Sequence, residues 1–152
     1  MHVGDPLPDL TVDSTSGPLA LRSLLGKPLV IYFYPKDATP GCTRQANEFT
    51  AMLDRFDSAG ARVLGVSRDT PGSHDRFREK QGIGFDLVAD QDEALCRAFD
   101  VIREKKMYGR TVLGIQRSTF LFDAEGRLLQ EWRGVRVPGH VETVLAAVEA
   151  MA

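Results

Sequence analysis

Cysteine is scarce in this chain: Cys42 and Cys96 are the only two in 152 residues. Two, far apart in sequence, cannot build a disulfide framework, and neither has the close pairing that holds zinc. The three histidines, His2, His74 and His140, show no ligand-like spacing to one another or to cysteine, so surface positions are expected in preference to metal binding. Charge of one sign is missing too. Nineteen Lys and Arg face twenty-one Asp and Glu, a net charge of -2, which leaves no basic surface for nucleic acid. Charged or turn residues break every apolar run before Leu29, so no signal peptide and no membrane span is readable. No internal repeat or low-complexity linker appears. These absences point to one globular domain over residues 1–152, expected to be a monomer in a reducing, cytoplasmic compartment.

What is present is organised around Pro35-Lys36-Asp37-Ala38-Thr39-Pro40-Gly41-Cys42. The run before it, Leu29 to Tyr34, is continuously apolar and rich in β-branched and aromatic residues, as in a strand buried on both faces. Pro35 ends it, having no backbone donor. After it, Ala46, Phe49, Leu53 and Phe56 recur at helical spacing, which predicts a helix from Cys42 to about Ala59 with Gly60 as its stop. Cys42 heads the apolar stripe, at the helix end where free N–H groups and the helix dipole favour an anion. A cysteine so placed tends toward the thiolate.

The remaining chain alternates. Leu10 to Leu21 reads as a hairpin, Arg62 to Ser67 as a strand, and Thr70-Pro71 as the start of a helix running to Gln81 with Gly82 behind it. Phe85 to Val88 is a short strand, and Asp90 or Asp92 caps a helix with Leu95, Cys96 and Phe99. Arg103 to Arg110 reads as an irregular, solvated basic loop. A hairpin over Ser118 to Trp132 and a helix from about Gly139, apolar at Val141, Val144, Leu145 and Val148, close the chain. The implied class is α/β: a mixed central β-sheet flanked by helices, with an N-terminal hairpin extension.

A cysteine between a buried strand and the following helix matches the thioredoxin-like fold. Pro35-x-x-x-Thr39-x-x-Cys42 resembles the active-site motif of the peroxiredoxins, and Tyr32-Phe33-Tyr34-Pro35-Lys36-Asp37 before it is similar to the bacterioferritin comigratory protein, or peroxiredoxin Q, branch. The likeness extends through Val3-Gly4-Asp5, Thr70 to His74, Lys106 to Gly109 and Arg117 to Leu121. It implies a thiol-dependent peroxidase acting on hydrogen peroxide and organic hydroperoxides in antioxidant defence. Such an enzyme uses no metal, flavin or haem and is recycled by an external thiol such as thioredoxin, glutaredoxin or a small thiol. It also implies roles: Cys42 as nucleophile, Arg117 and Thr39 as catalytic partners, and Pro35, Thr39, Gly41 and Arg117 around the substrate.

The chemistry supports that assignment. Lowering a cysteine from about 8.5 to about 6 takes roughly 3.4 kcal/mol, whereas a helix end supplies about 0.3 to 1 and at most ~2 kcal/mol. A cation at the sulfur is therefore required, and in the family pattern Arg117 is that cation. Its planar guanidinium can contact sulfur and peroxide oxygen together. The Thr39 hydroxyl can accept from the peroxide and donate to the thiolate. Gln45, one turn beyond Cys42, either orients Arg117 or faces solvent.

Two other classes compete. A disulfide oxidoreductase normally needs Cys-x-x-Cys, and here Thr39 stands where the second cysteine belongs. A non-catalytic binding or chaperone module on the same fold is also possible in principle, since fold does not fix function. The chain departs from its branch in one respect: Asn47 and Arg78 occupy the two positions where relatives carry a resolving cysteine. A one-cysteine peroxidase with Cys96 as a packing residue is expected. The rival is a two-cysteine cycle in which Cys96 resolves Cys42 after local unfolding.

Overall fold

The structure, a computed structural model, describes residues 1–151. The continuous apolar run becomes β3 (Leu29–Phe33), buried at every position. It lies inside a seven-stranded mixed sheet with β1 (Thr11–Ser14), β2 (Gly17–Ala20), β4 (Arg62–Ser67), β5 (Asp86–Ala89), β8 (Ser118–Phe122) and β9 (Leu128–Arg133), in the order β2-β1-β5-β4-β3-β8-β9. β3 pairs parallel with β4 and antiparallel with β8, and β4 pairs parallel with β5. The N-terminal hairpin β1–β2 extends this sheet through β5, as expected.

Alternate residues of a strand face opposite sides of its sheet, so β3 divides the interior in two. Val30 and Tyr32, with Tyr34 beyond the strand, enter a core with Cys42, Ala46, Phe49, Phe56, Phe77 and the apolar side of the C-terminal helix. Leu29, Ile31 and Phe33 enter the other core, with Leu95, Cys96, Phe99 and Phe120. The two cysteines therefore occupy cores on opposite faces of the sheet.

The helix after the central strand differs from expectation at both ends. α1 (Pro40–Ala51) starts two residues earlier, with Pro at its first position. Met52 then leaves helical torsions, and α2 (Leu53–Ser58) continues separately. No proline or glycine marks that break. α3 (Pro71–Gln81) matches closely: Thr70 accepts from Ser73 N at its start, and Gly82, at φ 66°, ends it in the left-handed conformation. In α4 (Ala94–Ala98) both candidate caps are used: Asp90 accepts from the N–H of Leu95 and Cys96, and Asp92 from that of Ala94. α5 (His140–Glu149) buries the four predicted apolar residues.

Arg103 to Arg110 is not irregular. Ile102–Met107 (β6) and Arg110–Ile115 (β7) form an antiparallel two-stranded ribbon, turned by Tyr108 and Gly109 at φ 52° and 77°. Most of its residues are exposed and it lies outside the main sheet, so it lacks the alternating apolar face that marks a strand in sequence. Among the described residues, no helix is long and apolar enough to cross a membrane.

Candidate active site

β3 delivers the chain to the loop Tyr34–Thr39, and α1 carries Cys42 back over the sheet in its first turn. The thiol is 2% exposed. Arg117, two residues past β7 and just before β8, points its Nη2 at Cys42 Sγ from 3.4 Å, while its Nη1 donates to Gln45 Oε1 at 2.7 Å. A guanidinium only donates, so this bond fixes which end of the Gln45 amide faces it. Gln45 is fully buried, which resolves the two readings of it: it orients the cation and does not face solvent.

Gly41 has a physical reason to lack a side chain. A Cβ there would stand 3.2 Å from Arg117 Nη2, pressing on the group that faces the sulfur. The first turn also keeps its donors available. Thr39 is the N-cap residue but makes no side-chain cap bond, and Pro40 has no N–H, so the amides of Gly41 and Cys42 remain for an anion. The Thr39 hydroxyl donates to Lys36 O at 2.8 Å. Its proton is thus spent within the loop and not on the sulfur, which leaves the oxygen as an acceptor. Pro35 is half-buried at the loop's entry.

A buried polar network that composition did not suggest holds the loop. Asp37 is 6% exposed and accepts from Tyr34 Oη at 2.7 Å and Ser73 Oγ at 2.9 Å, while its N–H donates to Asp69. His74, expected at the surface, is fully buried. Its Nε2 lies 2.9 Å from Val88 O and must donate there; its Nδ1 lies 2.7 Å from Asp37 Oδ2, so one proton lies between them. Asp37, Asp69 and His74 offer donor atoms within 4.8 Å of one another, and these hydrogen bonds account for them. The clasp ties the loop to α3 and β5 while Ala38 holds a left-handed φ of 61°. The Ser73-His74 pair was visible in sequence; its burial was not.

His140, also expected at the surface, is buried as well. It is 6% exposed, with Nε2 at 2.8 Å from Thr119 Oγ1 and its ring edge-on to Trp132. Burial, and then the Arg117 charge, push its pKa down to about 4.

Two buried side-chain atoms lack a hydrogen-bond partner among the described residues: Tyr32 Oη and Gln45 Nε2. A buried polar group left unpaired costs about 1–3 kcal/mol, so both need a reason to persist.

A buried thiol facing a fixed guanidinium, at a helix start with free amides, has the parts for attack by sulfur on an electrophilic oxygen. The AhpC/TSA family model matches residues 3–130. The chain belongs to the AhpC/TSA family. Its similarity is to peroxiredoxins of the Bcp, or Q, type: it is 62% identical to Peroxiredoxin Bcp of Xanthomonas campestris pv. campestris over 87% of this chain and 82% of that one. With Peroxiredoxin Bcp of Bacillus subtilis it shares 42% identity over 99% and 97% of the two chains. Among solved structures, the bacterioferritin comigratory protein of Xanthomonas campestris, studied for alkyl peroxide reduction, superposes with a TM-score of 0.92 at 55% identity, covering 99% of each chain. The thioredoxin-like fold expected from the sequence is thereby established, and the protein is a thiol-dependent peroxidase.

Proposed function

We propose that Cys42 is the peroxidatic nucleophile of a one-cysteine cycle that reduces hydrogen peroxide and organic hydroperoxides. The observation that carries this is the 3.4 Å contact between Arg117 Nη2 and Cys42 Sγ. The thiolate attacks the terminal peroxide oxygen. The S–O bond forms as the O–O bond breaks, sulfur loses two electrons, and the peroxide proton passes to the departing oxygen to give an alcohol or water. Arg117 and the amides of Gly41 and Cys42 stabilise the negative charge shared among sulfur and both oxygens. Thr39 accepts from the peroxide O–H, and Pro35 with Pro40 keeps the loop stiff and poor in donors. Alkyl peroxide reduction by the Xanthomonas campestris relative supports the wider substrate range.

The cycle closes with an external thiol in the reducing cytoplasm. A first thiol condenses with the sulfenic acid, releasing water and leaving a mixed disulfide, and a second releases Cys42 as its own disulfide forms. The reading is supported by the positions of Asn47, exposed and bonded to Gln81, and Arg78, whose Nε donates to Phe85 O; neither supplies a thiol. It is supported equally by the sheet between Cys42 and Cys96, because a disulfide needs Cα atoms within about 7 Å.

Two measurements test it. Peroxide consumption with dithiothreitol is expected from the wild type and absent in Cys42→Ser. Intact mass after one equivalent of peroxide, without reductant, is expected to show one or two added oxygens on Cys42. Loss of two hydrogens with a Cys42 to Cys96 crosslink would overturn the one-cysteine cycle. Thr39→Val should slow Cys42 oxidation while Thr39→Ser largely preserves it; equal rates would leave Thr39 a loop-stabilising role only.

A further inference from the structure

Of the two unpaired buried atoms, Tyr32 Oη lies on a side chain of the core that holds Cys42, and Gln45 Nε2 on the helix that carries it. Gln45 lies one turn from Cys42 on the same face of α1, and its amide is pinned by Arg117. Tyr32 shares the Cys42 core and is fully buried. Its ring cannot swing. It stacks on Phe49 with centroids 4.6 Å apart and on Tyr34 at 5.5 Å, and Phe85 meets it edge-on. On the β4 side it lies so close to Gly65 that a Cβ there would stand 3.1 Å from its ring. The hydroxyl thus has a fixed position and only its proton can turn.

Other core positions of this chain use Phe, as at Phe33, Phe49 and Phe120, so a hydroxyl at position 32 is not needed for packing. Burial holds it protonated, well above the usual tyrosine range, and of the charges acting on it Cys42 is foremost, followed by Asp37 and Arg117. Among the described residues it is a buried donor with no acceptor, in the same core as the sulfur that gains an oxygen. We propose that Tyr32 is a further catalytic residue of this reaction, whose hydroxyl donates a hydrogen bond to the oxygen that Cys42 acquires. In the balanced step, thiolate and hydroperoxide give a sulfenate and an alcohol; Tyr32 keeps its proton throughout and satisfies the new S–O⁻ group. The donor that is orphaned in the reduced protein is paired in the oxidised one.

This rests on Cys42 as the nucleophile, and the experiment separates the two ideas. Tyr32→Phe removes one unpaired atom. The reduced variant is expected to melt at or above the wild type. Its Cys42 is expected to oxidise about three- to tenfold more slowly in stopped-flow, the loss of one hydrogen bond. Excess peroxide then carries both proteins to the sulfinate, a stable form with two added oxygens. The change in Tm on oxidation should be less favourable in Tyr32→Phe by about 2 to 4 °C.

An oxidation rate equal to wild type, or the same change in Tm on oxidation, overturns the role of Tyr32. Peptide mapping locates the oxygens: if they are not on Cys42, the reading of Cys42 fails and takes this proposal with it. Should Tyr32→Phe not fold, wild-type protein labelled with [ζ-13C]tyrosine decides the matter. The Tyr32 resonance is expected to move on oxidation while that of Tyr108, 99% exposed, stays in place; an unmoved Tyr32 resonance overturns the proposal.

Discussion

Cys42 and Cys96 are alike by every local measure. Each is buried and each lies in the first turn of a helix, yet their electrostatic surroundings are opposite. Arg117 faces the sulfur of Cys42. At Cys96 the helix start is already occupied by Asp90, whose carboxylate accepts from the Leu95 and Cys96 amides at 3.0 and 2.7 Å. Burial first, then the hydrogen bond and charge of Asp90, push the Cys96 thiol well above the usual range. The first helix leaves its donors open to an external anion, and the second spends them on an internal one. With both thiols buried and both in a first helical turn, what distinguishes the two sites is which charge already holds the helix start.

The contrast can be broken first at Arg117. Arg117→Ala should lower the rate constant for Cys42 oxidation by about 10²–10³-fold, the usual loss for a preorganised donor. Arg117→Lys should recover only part of it, because a point charge cannot serve Gln45 and sulfur together. Stopped-flow oxidation is the measurement, and Cys96→Ser should leave the rate unchanged.

His140 sharpens the same region by pH. Unfolded, it binds a proton near pH 6.5; folded, it stays neutral to about 4. Between these values the unfolded state binds more protons, so stability is full above about 6.5 and falls as pH drops toward 4. The loss from this group is on the order of 3 kcal/mol. Urea unfolding across that range should show the slope in the wild type and a flatter profile in His140→Gln.

At the other cysteine, Asp90→Asn should cost about 1 to 2 kcal/mol through the weakened helix start and make Cys96 alkylate faster under native conditions. Differential scanning calorimetry and timed alkylation would check both. The smallest effect is expected at the ribbon tip, where Tyr108→Ser should change stability by less than about 0.5 kcal/mol, since its side chain is 99% exposed.

The sequence revealed those parts whose residues carry a local signature. β3 announced itself by unbroken apolarity, α3 by Thr70, Pro71 and Gly82, and the loop to Cys42 by its motif. What stayed hidden depended on contacts between distant segments. His74 and Asp37 stand far apart in the chain, so nothing local distinguishes a buried, hydrogen-bonded histidine from an exposed one. His140 owes its burial to Thr119 and Trp132 on the last two strands. The β6–β7 ribbon buries too little for an apolar period, and its sequence reads as a solvated basic loop. The orphaned hydroxyl of Tyr32 could not be seen at all, because an unmet hydrogen bond is a property of surroundings and not of sequence.

In the proposed one-cysteine cycle, the sheet that separates the two cores also sets the kinetic order. With Cys96 in the core on its far face, an oxidised Cys42 in that cycle meets no second thiol in its own core. The lifetime of the oxidised state is then governed by collision with a reducing thiol, and scales inversely with the concentration of that thiol. When thiols run low, oxidised protein accumulates and further peroxide drives it to the sulfinate. The partition thereby makes the fraction of Cys42 in each state a readout of the surrounding balance between peroxide and thiol.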